Sequence, residues 1–437
     1  MSEPSKAQLL NLYFWGFSIR LIFLKSSSLA DALGSRVEIS TPITSWKKAI
    51  EGVNLWKQGT NPYDSDIFHE SPLGLVTYDF LLTHAPQWLP VIFAICDIVT
   101  ATALSFVAKL YLNNCVKKEQ SEKVPESAES VLLKPTNIAW VPFYVAAVYL
   151  LCPYSIVSCG GKSTVTFQNM LLSVFLLFTV SSKWFLASVA LAVLSCHSFY
   201  HITLLVPLSM HVYQTASCDQ KKTLKIIKLL ATIVTCLAAV VTLMLTFHKI
   251  TGSWHFVWCT YGCILSVPDL TPNIGLFWYF FTEMFEHFRV FFLCTFQLNV
   301  FVYTTPLAVR LRKEPIFFLF IHLIIITIFK SYPCIGDVAF YLSLLPIWSH
   351  LFHFMRQRFI VCCVLASCTL LAPTLWHLWI YSGSANANFY FAITLAFNTG
   401  QVFLLTDILS AYIKREYYLE KGVKYNEDGS LVLMRLQ

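Results

Sequence analysis

Charge is what this chain has least of. Asp, Glu, Lys and Arg make up 13% of its 437 residues, against about a quarter in an ordinary soluble domain, and that scarcity excludes a water-soluble fold for most of the chain. Glycosylation acceptors are missing altogether: no Asn-x-Ser/Thr triplet occurs, so sugar attachment marks no loop as facing a secretory lumen. Walker loops, dinucleotide-binding glycine fingerprints, CxxC pairs, HExxH and an ordered Ser/His/Asp set are absent too. With them go the usual sequence signatures of nucleotide, zinc and triad chemistry.

What fills the chain is apolar: 56% of residues are hydrophobic and 16% aromatic. Apolar runs near residues 7–25, 86–112, 138–159, 165–182, 184–197, 199–213, 225–247, 289–311, 314–333, 338–355, 358–381 and 389–413 predict an all-α, polytopic transmembrane bundle of about twelve spans, since about twenty residues cross a hydrocarbon core. The pieces on either side of Cys196 and His197 also read as one broken helix. Arg20 interrupts the first run and no small-residue cleavage site follows it, which favours a retained span over a secretory signal. Most of the fourteen cysteines sit inside apolar runs, where they act as small hydrophobes rather than a disulfide framework.

The net charge of +7 comes from short basic clusters between runs, which is the pattern of membrane topology signals and not of a nucleic-acid-binding face. Lys117/Lys118, Lys221/Lys222/Lys225, Arg310/Arg312/Lys313, Arg356/Arg358 and Lys414/Arg415 all fall on one side of a twelve-span arrangement with both termini cytoplasmic. Residues 1–437 then form a single membrane domain. Its luminal parts are the loop 26–85, the luminal or re-entrant segment 248–288, the turn after Pro333 and the turn 382–388. A polar linker at 113–137 and a tail at 414–437 lie in the cytoplasm.

Polar groups at membrane depth cost about 2.5–3.5 kcal/mol each on insertion scales, so each is a candidate site. "SVPDLTPNIGLFWYFFTEMFEHF" (266–288) gathers Asp269, Asn273, Glu283, Glu286 and His287 around a block of aromatics, and Pro268 and Pro272 force the chain to bend. It reads either as a ligand-meeting luminal segment or as an interfacial helix with solvated charges. In "GTNPYDSDIFHESPL", Asp64, Asp66 and Glu70 suit a solvated turn better than a cation site, and His69 has no orienting partner in sequence. His255, Cys259 and Cys263 lack the spacing of a zinc site, so no metal or cofactor is expected. Lys330 and Asp337 bracket "SYPCIG" as a pair closing a broken helix end. The turn "SGSANANFYF" offers the uncharged donors and acceptors of Ser384, Asn386 and Asn388 beside the rings of Tyr390 and Phe391. That chemistry suits sugar hydroxyls and phosphate oxygens, although asparagines also serve tight turns. Lys221 and Lys222 in "DQKKTLK" read as a topology signal or as a contact for an anionic, cardiolipin-like phospholipid.

The long stretches "RVEISTPITSWKKAIEGV", "FHESPL", "SVPDLTPNIGLFWYFFTEMFEHF", "IFKSYPCIGDVAFY" and "LWHLWIYSGSANANFYFAITLAFN" resemble the family of phosphatidylinositol glycan class U subunits of the glycosylphosphatidylinositol (GPI) transamidase, over nearly the whole chain. The resemblance implies a non-catalytic multi-span subunit of an endoplasmic reticulum complex, with peptide chemistry on a separate cysteine-protease-like subunit and GPI as the lipid it recognises. It further implies a distant likeness to the multi-span (GT-C-like) mannosyltransferases that use dolichyl phosphate mannose. Those enzymes carry an acid in the first luminal loop, and Glu38 stands in the corresponding region here. The rival expectation is an active mannosyltransferase using Glu38, Asp64 or Asp66.

Overall fold

The computed structural model describes residues 4–121, 124–215 and 222–422, and every regular element among them is a helix. Among the described residues, seven helices are long and apolar enough to cross a membrane: Lys6–Lys25, Pro86–Ser121, Lys222–Thr251, Glu286–Arg310, Ile335–Phe354, Arg358–Ile380 and Ala387–Lys421, with an eighth if the bent pair Glu126–Ile138 and Val141–Leu151 is one span. The other five apolar runs are helical as well, but short or interrupted. Val165–Val180, Trp184–His197 and Pro315–Phe329 are short apolar helices. The run at 199–213 begins as a 3-10 turn over Phe199–Leu204 before Leu205–Thr215 continues as α-helix. That at 138–159 splits into Val141–Leu151 and Pro153–Gly160.

Pro153 explains this split, and the split explains Arg20. Proline has no N–H to return to the carbonyl of residue i−4, here Tyr149, and it disfavours helical geometry at the residue before it. Carbonyls at the broken end need other donors, because lipid and apolar side chains supply none. Arg20 supplies them: its Nη1 donates to the carbonyls of Leu150 and Gly16, both at 2.9 Å. Its Nη2 donates to Ser155 Oγ at 2.9 Å, and the Ser155 hydroxyl itself donates to the Tyr149 carbonyl. Nε completes the network with Asp97 Oδ2 at 2.5 Å, and the Tyr149 hydroxyl donates to Asp97 Oδ1 at 2.9 Å. The charge that interrupts the first apolar run thus ties its own helix to three others.

Pro315–Phe329 is apolar on every side, and fourteen of its fifteen residues are buried, as expected of a helix surrounded by others. Two kinds of polar closure surround this centre. At one end of the bundle the basic clusters converge with acids: Lys118 with Glu314, Arg310 with Glu416, Lys313 with Glu420 and Arg415 with Glu119. At the other end Lys48 meets Asp269, and His69 Nδ1 lies 2.9 Å from the Cys259 carbonyl. The segments 26–85, 248–288 and 382–388 gather there.

The break after Phe329 is closed as its spacing suggests. Lys330 Nζ lies 2.5 Å from Asp337 Oδ2, which also accepts the Cys334 N–H at 2.9 Å. One residue on, the Ile335 N–H donates to the Glu38 carbonyl at 3.0 Å. That bond carries the first loop across to the middle of the chain.

Candidate functional site

Glycine and asparagine set the geometry of the turn at 382–388. Gly383 has φ +62°, a left-handed conformation that favours glycine. The Ser384 and Ala385 amides then fold back onto the Leu378 carbonyl at 3.0 and 3.2 Å, and the Ser384 hydroxyl lies 3.2 Å from that of Ser382. Asn386 caps the final helix, its Oδ1 accepting the Asn388 N–H at 3.1 Å. Asn388 Oδ1 accepts a hydrogen bond from the Tyr279 hydroxyl. Turn chemistry therefore occupies both asparagine carbonyl oxygens. The two amide NH2 groups stay at the surface with no hydrogen-bond partner among the described residues.

Tyr279 comes from the aromatic block of the 266–288 segment, so these two sequence candidates form one surface. Its ring stacks on Phe391, centroids 4.6 Å apart, and Trp278 packs against Phe391, Tyr390 and Trp379 at 5.8, 6.1 and 6.2 Å. Tyr390 is fully buried and donates to Glu38 Oε1 at 2.9 Å. Arg36 grips the same carboxylate with two prongs, Nη2 to Oε1 at 2.9 Å and Nε to Oε2 at 3.1 Å, while its guanidinium lies 5.8 Å from the Trp376 ring centre. Below this group lies a cavity of about 430 Å³ whose wall is mostly apolar, with Ile39, Tyr154, Ile274, Pro373, Tyr390 and Phe397 among its lining.

Asp269 and Asn273 build the approach to this surface. Asp269 pairs with Lys48 at 3.2 Å and accepts the Thr271 N–H at 2.9 Å. Partial burial opposes its ionisation, but the Thr271 hydrogen bonds and the Lys48 ammonium outweigh that and hold the carboxyl below its ordinary value. Asn273 is buried and accepts the Gly275 N–H at 2.7 Å, leaving no free carbonyl for a ligand. Gly275 itself sits hard against the 331–337 turn: a Cβ there would lie 2.7 Å from Pro333 Cδ and Cγ. We expect Gly275→Ala to cost about 1–3 kcal/mol through this overlap, read as a lower unfolding midpoint in detergent. An unchanged midpoint would show that the turn yields freely.

Glu283, Glu286 and His287 are exposed; Glu283 neighbours the Tyr279 hydroxyl, while Glu286 and His287 are not joined to this cluster by any contact among the described residues. Lys222 is exposed at the start of its helix, and Lys221 lies outside the described residues. Arg36 and Trp376 were missed in the sequence. For Arg36 the available signal was a lone cation beside Glu38 in a loop on the side expected to be poor in basic residues.

The first loop requires a correction. Asp64 and Asp66 are exposed, as a solvated turn implies, but His69 and Glu70 are buried. Glu70 Oε2 accepts from the Tyr78 hydroxyl at 2.6 Å, and its Oε1 has no hydrogen-bond partner among the described residues. Burial pushes this carboxyl up to about 7, against the opposing effect of the neighbouring Thr164 and Tyr78 hydroxyls. The would-be metal residues go separate ways: His255 lies 3.2 Å from Asp64, and the Cys259 thiol donates to the Tyr63 carbonyl at 2.8 Å.

The family described as "GPI transamidase subunit PIG-U" matches residues 14–397. The chain belongs to the PIG-U family. Among its relatives, the GPI-anchor transamidase component PIGU of Homo sapiens is 43% identical over 420 residues, covering 94% of this chain and 95% of the relative. The GPI transamidase component GAB1 of Saccharomyces cerevisiae is 29% identical over 392 residues, 89% of this chain and 90% of the relative. Its homolog in Schizosaccharomyces pombe is 27% identical over 424 residues, 96% of both chains. The match to the PIG-U family takes in Arg36, Glu38, Trp278, Tyr279 and Asn386 to Phe391, so the whole aromatic cluster falls inside it.

Proposed function

We propose that the chain is the non-catalytic, GPI-binding subunit of a GPI transamidase in the endoplasmic reticulum membrane, a multi-pass protein of about twelve passes, some short or broken, with both termini cytoplasmic and a GT-C-like ancestry. The observation that carries this reading is an apolar cavity beside a polar turn that has amide donors to spare. GPI joins acyl chains to an inositol phosphate, a glycan and a phosphoethanolamine amine. The cavity of about 430 Å³ takes part of an acyl chain, and pockets of this size suit small ligands. Asn386 and Asn388 offer N–H groups to phosphate or sugar oxygens, with Ser384, Tyr390 and Phe391 around them. Held there, the amine faces the intermediate on the cysteine-protease-like subunit at high effective concentration. The exposed Glu283, Glu286 and His287 form a rim for the cavity or a contact for partner subunits, and Lys221 and Lys222 are left to a structural phospholipid.

Mannosyl transfer fits this geometry less well. Arg36 occupies both oxygens of Glu38 and Tyr390 shares one of them, so the carboxylate is committed to an ion pair rather than free as a base.

The test uses Asn386→Asp with Asn388→Asp. Aspartate keeps the cap oxygen and the acceptor for Tyr279, but it removes the amide donors and adds charge that repels phosphate. In cells lacking the native subunit we expect GPI attachment to fall by roughly tenfold, the scale of two lost hydrogen bonds, with the complex still assembled and complete GPI precursors accumulating. Wild-type attachment by the double variant would overturn the binding site. Precursors lacking mannose would point to the transferase instead.

A further inference from the structure

The start of Arg358–Ile380 carries two adjacent cysteines that the proposed GPI surface does not use. Thirteen cysteines lie among the described residues, all free thiols, and three of these are exposed: Cys294, Cys362 and Cys363. The helix that holds the adjacent pair turns little of itself inward: of its 23 residues, Val361 and Cys368 are buried. Those two are seven apart and mark the side facing the bundle. Phe359, Cys362, Cys363, Ala366 and Leu370 fall on the opposite side, all exposed, Phe359 and Leu370 by 77% and 74%. The pair therefore stands in an outward-facing apolar track.

Depth separates this pair from Cys294. Arg356 and Arg358 are exposed at the start of the helix, and arginines there keep to the headgroup level while their stems run along apolar surface. At 1.5 Å per residue Cys362 lies about 6 Å below Arg358 and Cys363 about 7.5 Å, just beneath the headgroups. This end of the helix is held in place, since Asp407 of the final helix accepts the Arg356 and Gln357 N–H groups at 3.0 and 2.8 Å. Cys294 is exposed as well, but about 24 Å of helix separates it from the basic cluster at Arg310. In a hydrocarbon core of about 30 Å that places it towards the far side.

We propose that Cys362 and Cys363 are S-acylated from a long-chain acyl-coenzyme A on the cytoplasmic side. The side of the membrane rests on the cytoplasmic placement of both termini proposed above. Cysteines just inside a membrane-level helix end are the setting in which reversible S-acylation occurs, and the reducing cytoplasm keeps an adjacent pair from closing as a disulfide. The thiolate is the nucleophile. Cysteine Sγ attacks the acyl carbonyl, the carbon–sulfur bond of the coenzyme A thioester breaks, and coenzyme A leaves as the thiol with the proton that the cysteine gave up. One thioester replaces another, so no oxidant or reductant is needed. The added chain lies along Ala366 and Leu370, among the lipid tails. It anchors one end of a helix whose other half supplies Thr369, Ala372 and Pro373 to the wall of the apolar cavity.

The test uses the full chain in cell membranes. Free thiols are reduced and blocked, thioesters are cleaved with neutral hydroxylamine, and each thiol released is tagged with a polyethylene glycol maleimide. The wild-type chain is expected to gain one or two tags, only after hydroxylamine. That shift should disappear in the double variant Cys362→Ser with Cys363→Ser and stay unchanged in Cys294→Ser. No hydroxylamine-dependent shift in the wild type would overturn the site, and so would a shift that persists in the double variant. If that variant fails to accumulate, the tagged wild-type peptides decide: tags on Cys362 or Cys363 support the site, and tags confined to other cysteines overturn it. An epitope added after Gln437 is read in parallel, in cells whose plasma membrane alone is permeabilised. The turn at 382–388 brings the end of Ala387–Lys421 back to the side of Arg358, so the epitope reports that side. An epitope that antibody reaches while no shift appears sinks the acylation alone. One sealed from antibody sinks the cytoplasmic placement and the acylation with it.

Discussion

Arg20→Met is expected to destabilise the chain by about 3–5 kcal/mol, the range for removing one partner of a buried ion pair. Arg20 is fully buried and Asp97 nearly so, so the substitution strands the Asp97 carboxylate and leaves the Leu150 carbonyl without its donor. The loss appears as a lower unfolding midpoint in detergent and a reduced steady-state level of the chain. Adding Asp97→Leu removes the stranded charge, and the double variant should regain part of the loss. This follows because an apolar replacement of both members of a buried pair is often neutral or better, and contacting residues couple in a double-mutant cycle. The carbonyls next to Pro153 remain unpaired in the double variant, so recovery is partial. A single variant as stable as the wild type would remove Arg20 from its structural role.

Glu70 provides the second large effect, and its sign is opposite to that of a salt-bridged acid. Its carboxyl rises from 4.5 to about 7 on folding, so between those values the folded chain binds more protons than the unfolded one. Stability therefore falls as pH rises through this window. The burial penalty is absent below about 4.5, grows with pH and is complete above 7; at 1.36 kcal/mol per pH unit it reaches on the order of 3 kcal/mol. Glu70→Gln keeps an acceptor for Tyr78 without a charge to bury. The variant should be the more stable form at pH 8 and lose most of the decline between pH 5 and 8. Parallel pH profiles for the two proteins would exclude Glu70 as the source.

The helical elements were legible in the sequence because apolar composition and length fix them locally: each of the twelve runs is helical. Their lengths were less so, since a window of hydropathy carries over breaks such as Pro153 and Ser198. The Lys330–Asp337 pair was readable for the same reason of locality, being seven residues apart across a proline. Arg20 with Asp97 and Glu38 with Tyr390, separated by 77 and 352 residues, were not. Their pairing is decided by which helices pack together, which no window reveals. Glu70 shows the same blindness in reverse: in "DSDIFHESPL" it has the company of a solvated turn, yet Tyr78 and Thr164 enclose it. At the proposed GPI surface the residue types were legible at 384–391, but the partnership of Asn388 with Tyr279 depended on a segment more than a hundred residues away.

The final helix, Ala387–Lys421, runs unbroken for 35 residues, about 52 Å at 1.5 Å per residue. Asn386 caps one end, and Arg415 and Glu420 stand at the other, so the turn at 382–388 and the charged cluster at the opposite end are mounted on a single stiff rod. A tilt of about 5° in such a rod shifts one end relative to the other by about 4.5 Å, more than a hydrogen bond tolerates. The helix therefore acts as a lever: neither polar end can be displaced without loading the other.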